Sequence, residues 1–184
     1  KESGVTTMKL VSKMDAGPIL LQKSIPIHDT MTSKELHDSL STIGGDLLVE
    51  TLRQLQAGKL VEQDQDETKV TYAKLIKKED GLINWTLSGV ELDRQIKALN
   101  PWPGTFAKTA RGTLKIHKAK YHSSLSGAPL QAEPSDIFTA TGNLYVCCAD
   151  GWMELLSVQP EGGKIMSTQE YMNGMRNNDQ KLFV

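Results

Sequence analysis

Apolar and polar positions follow three rhythms along this chain, and each rhythm predicts a different kind of element. Residues 4–11, GVTTMKLV, and 19–27, ILLQKSIPI, are apolar and rich in β-branched residues and predict two strands. Pro26 marks the end of the second strand or a sheet edge. Between them runs SKMDAG, a loop that carries Asp15. The spacing then changes to threes and fours. Leu36, Leu40, Ile43, Leu47, Leu48, Leu52 and Leu55 form one helical stripe. Thr32 and Glu35 make a capping box at its start, and Gly58, free to take a positive φ, suits its end. Gly44–Gly45 in the middle predicts a close backbone approach or a kink.

Two strands and one helical stripe cannot close a core, so residues 1–58 read as the end of a larger α/β domain. Residues 59–83, KLVEQDQDETKVTYAKLIKKEDGLI, are polar and aperiodic and predict a linker lying over a surface. From 84 onward the rhythm shortens. Ser88 and Glu91 cap a short helix through Leu92, Ile96 and Leu99 that ends before Pro101. Then come TFAKT, TLKIHKAKYH, DIFTA, LYVCCA and WMELLSVQ, with Asp150–Gly151 as a hairpin signal. Ser167 and Glu170 cap a last helix with Tyr171, Met172 and Met175 on its apolar side. Short strands with small flanking helices over 84–184 predict a small β-barrel, which makes the whole chain α+β.

Composition narrows this picture only slightly. With 39% hydrophobic and 23% charged residues, the chain has material for a core and is not disordered as a whole. A net charge of −1 says nothing about nucleic acid, but the distribution does. From Arg94 to Ala132 there is no Asp or Glu, while Arg94, Lys97, Lys108, Arg111, Lys115, Lys118 and Lys120 fall inside that window. Such a cluster in a small β-domain suits a phosphate backbone. Within TLKIHKAKY the in–out alternation slips, and a bulge near 117–118 would put Lys115, Lys118 and Lys120 on one outer face.

Other residues exclude more than they suggest. Cys147 and Cys148 are adjacent, which gives neither a disulfide framework nor zinc spacing and predicts two packing residues on opposite strand faces. None of His28, His37, His117 and His122 has a second ligand at metal spacing, so no metal is expected. Trp85, Trp102 and Trp152 are expected to pack in the C-terminal domain. No apolar run reaches the length of a membrane span, and no signal peptide is visible. The chain begins Lys-Glu-Ser-Gly and passes straight into a strand, as if cut from something longer. Asp15 is ambiguous on these grounds, because Asp-Ala-Gly is ordinary turn chemistry.

Four segments, in order, resemble the methionyl-tRNA formyltransferase family. They are ESGVTTM…MDAGPIL, QDETKVTYAKLIKKEDGLINW, ALNPWPGTF and LLSVQPEGGKIMS. The resemblance runs along essentially the whole chain, to the C-terminal part of that family. It implies the end of a Rossmann-like catalytic domain, a linker, and an OB-like C-terminal barrel. It further implies transfer of a formyl group from 10-formyltetrahydrofolate, without a metal, to the amine of initiator methionyl-tRNA, in a cytoplasmic monomer. Of the family's catalytic Asn, His and Asp, only the Asp has a counterpart here, Asp15, so the 184 residues alone are expected to be inactive. Lys78 matches a lysine of the family's linker; with Lys108, Arg111, Lys115, Lys118 and Lys120 it is a candidate tRNA contact. A sugar-nucleotide formyltransferase shares a segment like NPWPG, and a free-standing RNA-binding module is the other alternative. The LLSVQP…MS ending favours the tRNA enzyme.

Overall fold

The Thr32–Glu35 capping box does open the longest helix, α1 (Ser33–Gln56). The Thr32 N–H donates to Glu35 Oε2 at 2.8 Å, and the Glu35 N–H donates back to Thr32 Oγ1 at 3.3 Å. Gly58, at φ 62, follows the last turn as expected. This computed structural model describes residues 1–174 and 183, so Met175 lies outside the described residues. The chain forms two compact units, Lys1–Leu75 and Ile76–Val184.

In the first unit, α1 packs on an antiparallel hairpin of β1 (Glu2–Met8) and β2 (Ile19–Pro26). The leucine stripe is in fact two faces. Leu47 and Thr51 are buried and Leu36, Leu40 and Ile43 are half-buried, whereas Leu48, Leu52 and Leu55 are 51%, 55% and 58% exposed. Thr51 takes the apolar position because its hydroxyl is satisfied twice, by the Leu47 carbonyl at 2.7 Å and by Thr7 Oγ1 at 2.8 Å. The helix runs unbroken through Gly44–Gly45. A Cβ at 44 would meet only a Val5 methyl, at 3.7 Å, and at 45 nothing within 4 Å. The expected close backbone approach is therefore not there.

In the second unit, α2 (Gly89–Ala98) packs on a wholly antiparallel sheet of β3 (Thr105–Thr109), β4 (Gly112–His122), β5 (Ile137–Ala140), β6 (Asn143–Cys148), β7 (Gly151–Pro160) and β8 (Met166–Ser167). The strand order is β3-β4-β7-β6-β5, with β8 also on β7, and α3 (Thr168–Asn173) closes the described part. Leu92, Leu114, Ile116, Leu144, Val146, Met153, Leu155 and Val158 fill the core on one face. Tyr145, Cys147 and Trp152 form a second cluster, covered by Leu125, Ala128 and Ala132. Strand β6 is thus buried on both faces, and the two cysteines point to opposite ones, as the sequence predicts.

Two expectations change here. The barrel is not closed: among the described residues no pairing joins β3 to β5. Edge strand β3 is instead covered by single bridges, Leu82 to Phe106 and Phe183 to Thr109. Covering an edge satisfies its backbone groups without closing the sheet. Residues 76–83, read as linker, also belong to the second unit. Ile83 is buried in its core and its N–H donates to the Phe106 carbonyl at 2.8 Å.

Candidate functional site

Asp15 sits on the connection between β1 and β2, in the left-handed region at φ 55. That conformation costs a non-glycine residue about 1–2 kcal/mol, and Asp is among those that tolerate it. The side chain is exposed, and its carboxylate makes no hydrogen bond or ion pair among the described residues. Gly17, two residues on, is buried. A Cβ there would lie 1.7 Å from the Lys9 carbonyl oxygen. The close approach that Gly17 allows is therefore to the chain's own backbone.

What holds this loop comes from residues 62–67, which the sequence presents as featureless linker. Ile19 and Gln63 exchange backbone hydrogen bonds of 2.8 and 3.0 Å. Lys9 pairs with Glu62 at 2.8 Å and Lys13 with Glu67 at 2.9 Å. Their mutual hydrogen bond lowers the Glu67 carboxyl below its ordinary range and raises the Lys13 ammonium above its own. The Gln65 amide Nε2 donates to the Asp15 carbonyl at 2.8 Å and to the Gly17 carbonyl at 2.7 Å. No periodicity could have found Gln65, since its partners are 50 and 48 residues away.

The candidate lysines divide into a face and its neighbours. The β4–β7 register slips on both sides of Lys118, which is the bulge that the alternation predicts. Leu114 and Ile116, then Ala119 and Tyr121, face the core. Lys115, Lys118 and Lys120 are exposed, across from Gln159, Ser157 and Glu154 of β7. Lys108 joins that face, because β3 pairs it with Thr113, two residues before Lys115. Lys78 and Lys115 line one groove of about 530 Å³ with Phe106 and Gln159. Arg111 is apart, at the β3–β4 turn, lining a groove of about 360 Å³ with Glu161 and Tyr171. Lys78, Lys108, Lys115, Lys118 and Lys120 make no ion pair with the described residues.

A stretch free of acids in sequence is not free of them in space. Glu154 lies beside Lys120 and pairs with His122 at 2.7 Å. Glu161 accepts the Thr113 N–H at 2.8 Å. His117 meets Gln159 at 3.0 Å. Trp85 and Trp152 are buried as expected, but Trp102 is 64% exposed.

Residues 75–176 match the family model of the formyl transferase C-terminal domain, and residues 1–52 match that of formyl transferase. The chain belongs to the formyl transferase family. Within it, the chain is 38% identical to a curated methionyl-tRNA formyltransferase of Herpetosiphon aurantiacus, over 96% of this chain and 57% of that protein. It is 39% identical to the one of Methylococcus capsulatus, over 94% of this chain and 55% of that protein. It thus spans little more than half the length of these formyl transferase relatives. Among solved structures it resembles HypX from Aquifex aeolicus in complex with tetrahydrofolic acid. The TM-score is 0.65 at 14% identity, covering 93% of this chain and 30% of that one, a likeness of fold alone. The C-terminal formyl transferase match begins at 75, beside the structural division at 75/76.

Proposed function

We propose that this protein transfers the formyl group of 10-formyltetrahydrofolate to the α-amine of initiator methionyl-tRNA. What carries the reading is identity to curated methionyl-tRNA formyltransferases along nearly the whole chain. A fold neighbour bound to tetrahydrofolic acid supports a folate donor. On this reading Lys1–Leu75 is part of a Rossmann-like catalytic domain, and Ile76–Val184 is the tRNA-binding domain.

The chemistry asks for a nitrogen lone pair at the formyl carbon and stabilisation of the oxygen that becomes negative. The amine nitrogen adds to the formyl carbon; the bond from that carbon to the folate nitrogen then breaks, the amine releasing one proton and the folate nitrogen taking one up. Asp15 is the catalytic group of this chain. An exposed, unpartnered carboxylate on a fixed loop is free to orient and charge-stabilise a neighbouring imidazole, as the family's Asn–His–Asp set requires. Lys78, Lys108, Lys115, Lys118 and Lys120 meet tRNA phosphates, with Arg111 at the margin of that surface. Compact ammonium groups on long stems read charge more than base edges.

The test is a formyl transfer assay on protein extending over the relatives' full length. Initiator methionyl-tRNA should be formylated and an amino-sugar nucleotide should not. Asp15→Asn should lower kcat on the order of 10²–10⁴-fold, with the tRNA KM little changed. Formylation of the sugar nucleotide instead would overturn the substrate. Near-wild-type turnover of Asp15→Asn would return Asp15 to the role of a turn residue.

A further inference from the structure

The β1–β2 connection has an unusual construction. Its apex residue is left-handed without being a glycine. Its ends are pinned to residues 62–67 by the Lys9–Glu62 ion pair and the Ile19–Gln63 bridge, and Lys13 pairs with Glu67 nearer the apex. The carbonyls of Asp15 and Gly17 are both held by one side chain, Gln65. Both N–H bonds of a single amide point at the Asp15 and Gly17 carbonyls, which fixes the peptide plane that follows Asp15 and the one that follows Gly17. The reverse orientation of the amide is excluded, since it would aim Oε1 at two acceptors. We infer that Gln65 is a positioning residue for Asp15, acting through the backbone that carries the carboxylate. The inference rests on the reading of Asp15 as catalytic.

The geometry separates this role from general support. Gln65 hydrogen-bonds neither carboxylate oxygen of Asp15, only the backbone carbonyls of Asp15 and Gly17. The surrounding pins, Lys9–Glu62 and Lys13–Glu67, are exposed ion pairs of the kind that contributes little. Without the amide, the apex could relax toward the ordinary right-handed region, which would swing the Asp15 side chain away. A misplacement of about 1 Å at a reacting centre is enough to cost about 10²-fold in rate.

Gln65→Glu is the decisive variant. It keeps the size and shape of the side chain, removes both donors, and turns an oxygen toward the two carbonyls. In full-length protein it should lower kcat about 10²-fold with the tRNA KM unchanged. Added to Asp15→Asn it should cost nothing more, because groups that act as a unit are not additive. Independently of activity, amide hydrogen exchange at residues 14–17 should accelerate in Gln65→Glu while that of β1 and β2 stays as in the wild type. Four outcomes decide the matter. If Asp15→Asn is slow but Gln65→Glu turns over normally, the positioning role is wrong and the catalytic reading stands. If the double variant is slower than Asp15→Asn, Gln65 acts by another route and the inference falls. If Asp15→Asn is itself fully active, the catalytic reading fails, and the exchange at 14–17 still shows whether Gln65 holds the loop. Faster exchange throughout β1 and β2 would make Gln65 a support of the whole unit, which also overturns the inference.

Discussion

In Ile76–Val184 the inner face of the sheet is out of water from Leu114 to Val158, whereas in Lys1–Leu75 Leu47 alone among the described apolar residues is buried. Leu10, Met14, Leu48, Leu52, Leu55, Val61 and Tyr72 of the first unit are exposed. The ties of that unit are mostly polar: the Thr7–Thr51 hydroxyl pair, the Gln65 amide, and ion pairs on the surface. Each such tie is a small contribution, and the exposed ion pairs are further weakened by solvent screening. The second unit stands on burial, which adds over many residues. The first holds the β1–β2 loop in place by directional contacts and leaves Leu48, Leu52 and Leu55 of α1 exposed. A unit tied by directional contacts and a unit that carries its own core are held together by different forces.

The comparison breaks most visibly at the core. Leu155→Ala, at a 1% exposed position, should cost about 2–5 kcal/mol, while Leu52→Ala on the exposed face of α1 should stay within about 0.5 kcal/mol. Urea unfolding reads both, provided two probes are used. Trp85, Trp102 and Trp152 all lie in the second unit, so fluorescence reports that one, and helix circular dichroism is needed for α1. A cost at Leu52 equal to that at Leu155 would mean that its side chain is already covered, and the contrast would collapse.

A middle-sized effect sharpens the contrast in function. Changing Lys115, Lys118 and Lys120 together to Gln should flatten the slope of log K against log[salt] for tRNA by about two to three units, one counterion per phosphate lost. Elongator tRNA should weaken by the same factor, and the melting temperature should not move. An unchanged slope would leave this face merely solvated, and a loss confined to initiator tRNA would make it a reader of identity.

The smallest effect is one that the two units share. Glu35, Glu91 and Glu170 each close a capping box, and hydrogen bonds from Thr32, Ser88 and Ser167 respectively lower their carboxyls below the ordinary range. For a lowered carboxyl, the stabilisation is complete above the unfolded value of about 4.3 and is lost as pH falls through the native one. Helix content should therefore slip below about pH 4.3, and Glu35→Gln should remove the part that α1 contributes. A flat titration would show that the boxes are geometric only.

What could be read in advance was local. All three capping boxes formed, because a box needs only four consecutive residues. The bulge at Lys118 was legible because the alternation of TLKIHKAKY breaks its own phase. Strands β3 to β7 lie within a residue or two of their expected ends, whereas the two-residue β8 was not expected. What stayed hidden was pairing at a distance. Leu47 and Leu52 stand about 140° apart on a helical wheel, so the wheel separates two apolar faces, but only the hairpin beneath α1 shows which one is buried. Whether β3 meets β5 depends on neither strand alone. Glu154 beside Lys120 and Gln65 beside Asp15 were invisible for the same reason, and they change the electrostatics of one site and the geometry of the other.

The double-sided burial of β6 has a practical consequence. Burial raises both thiols above their ordinary values, so neither Cys147 nor Cys148 is a ready nucleophile while its face is covered. Yet the two faces have different lids. Cys147 lies under Leu125, Ala128 and Ala132, a short stretch of irregular chain, whereas Cys148 lies in the main core. A thiol reagent applied to the native protein therefore runs two clocks from a single dipeptide. The fast one times how often the irregular cover lifts, and the slow one times how often the sheet itself comes apart.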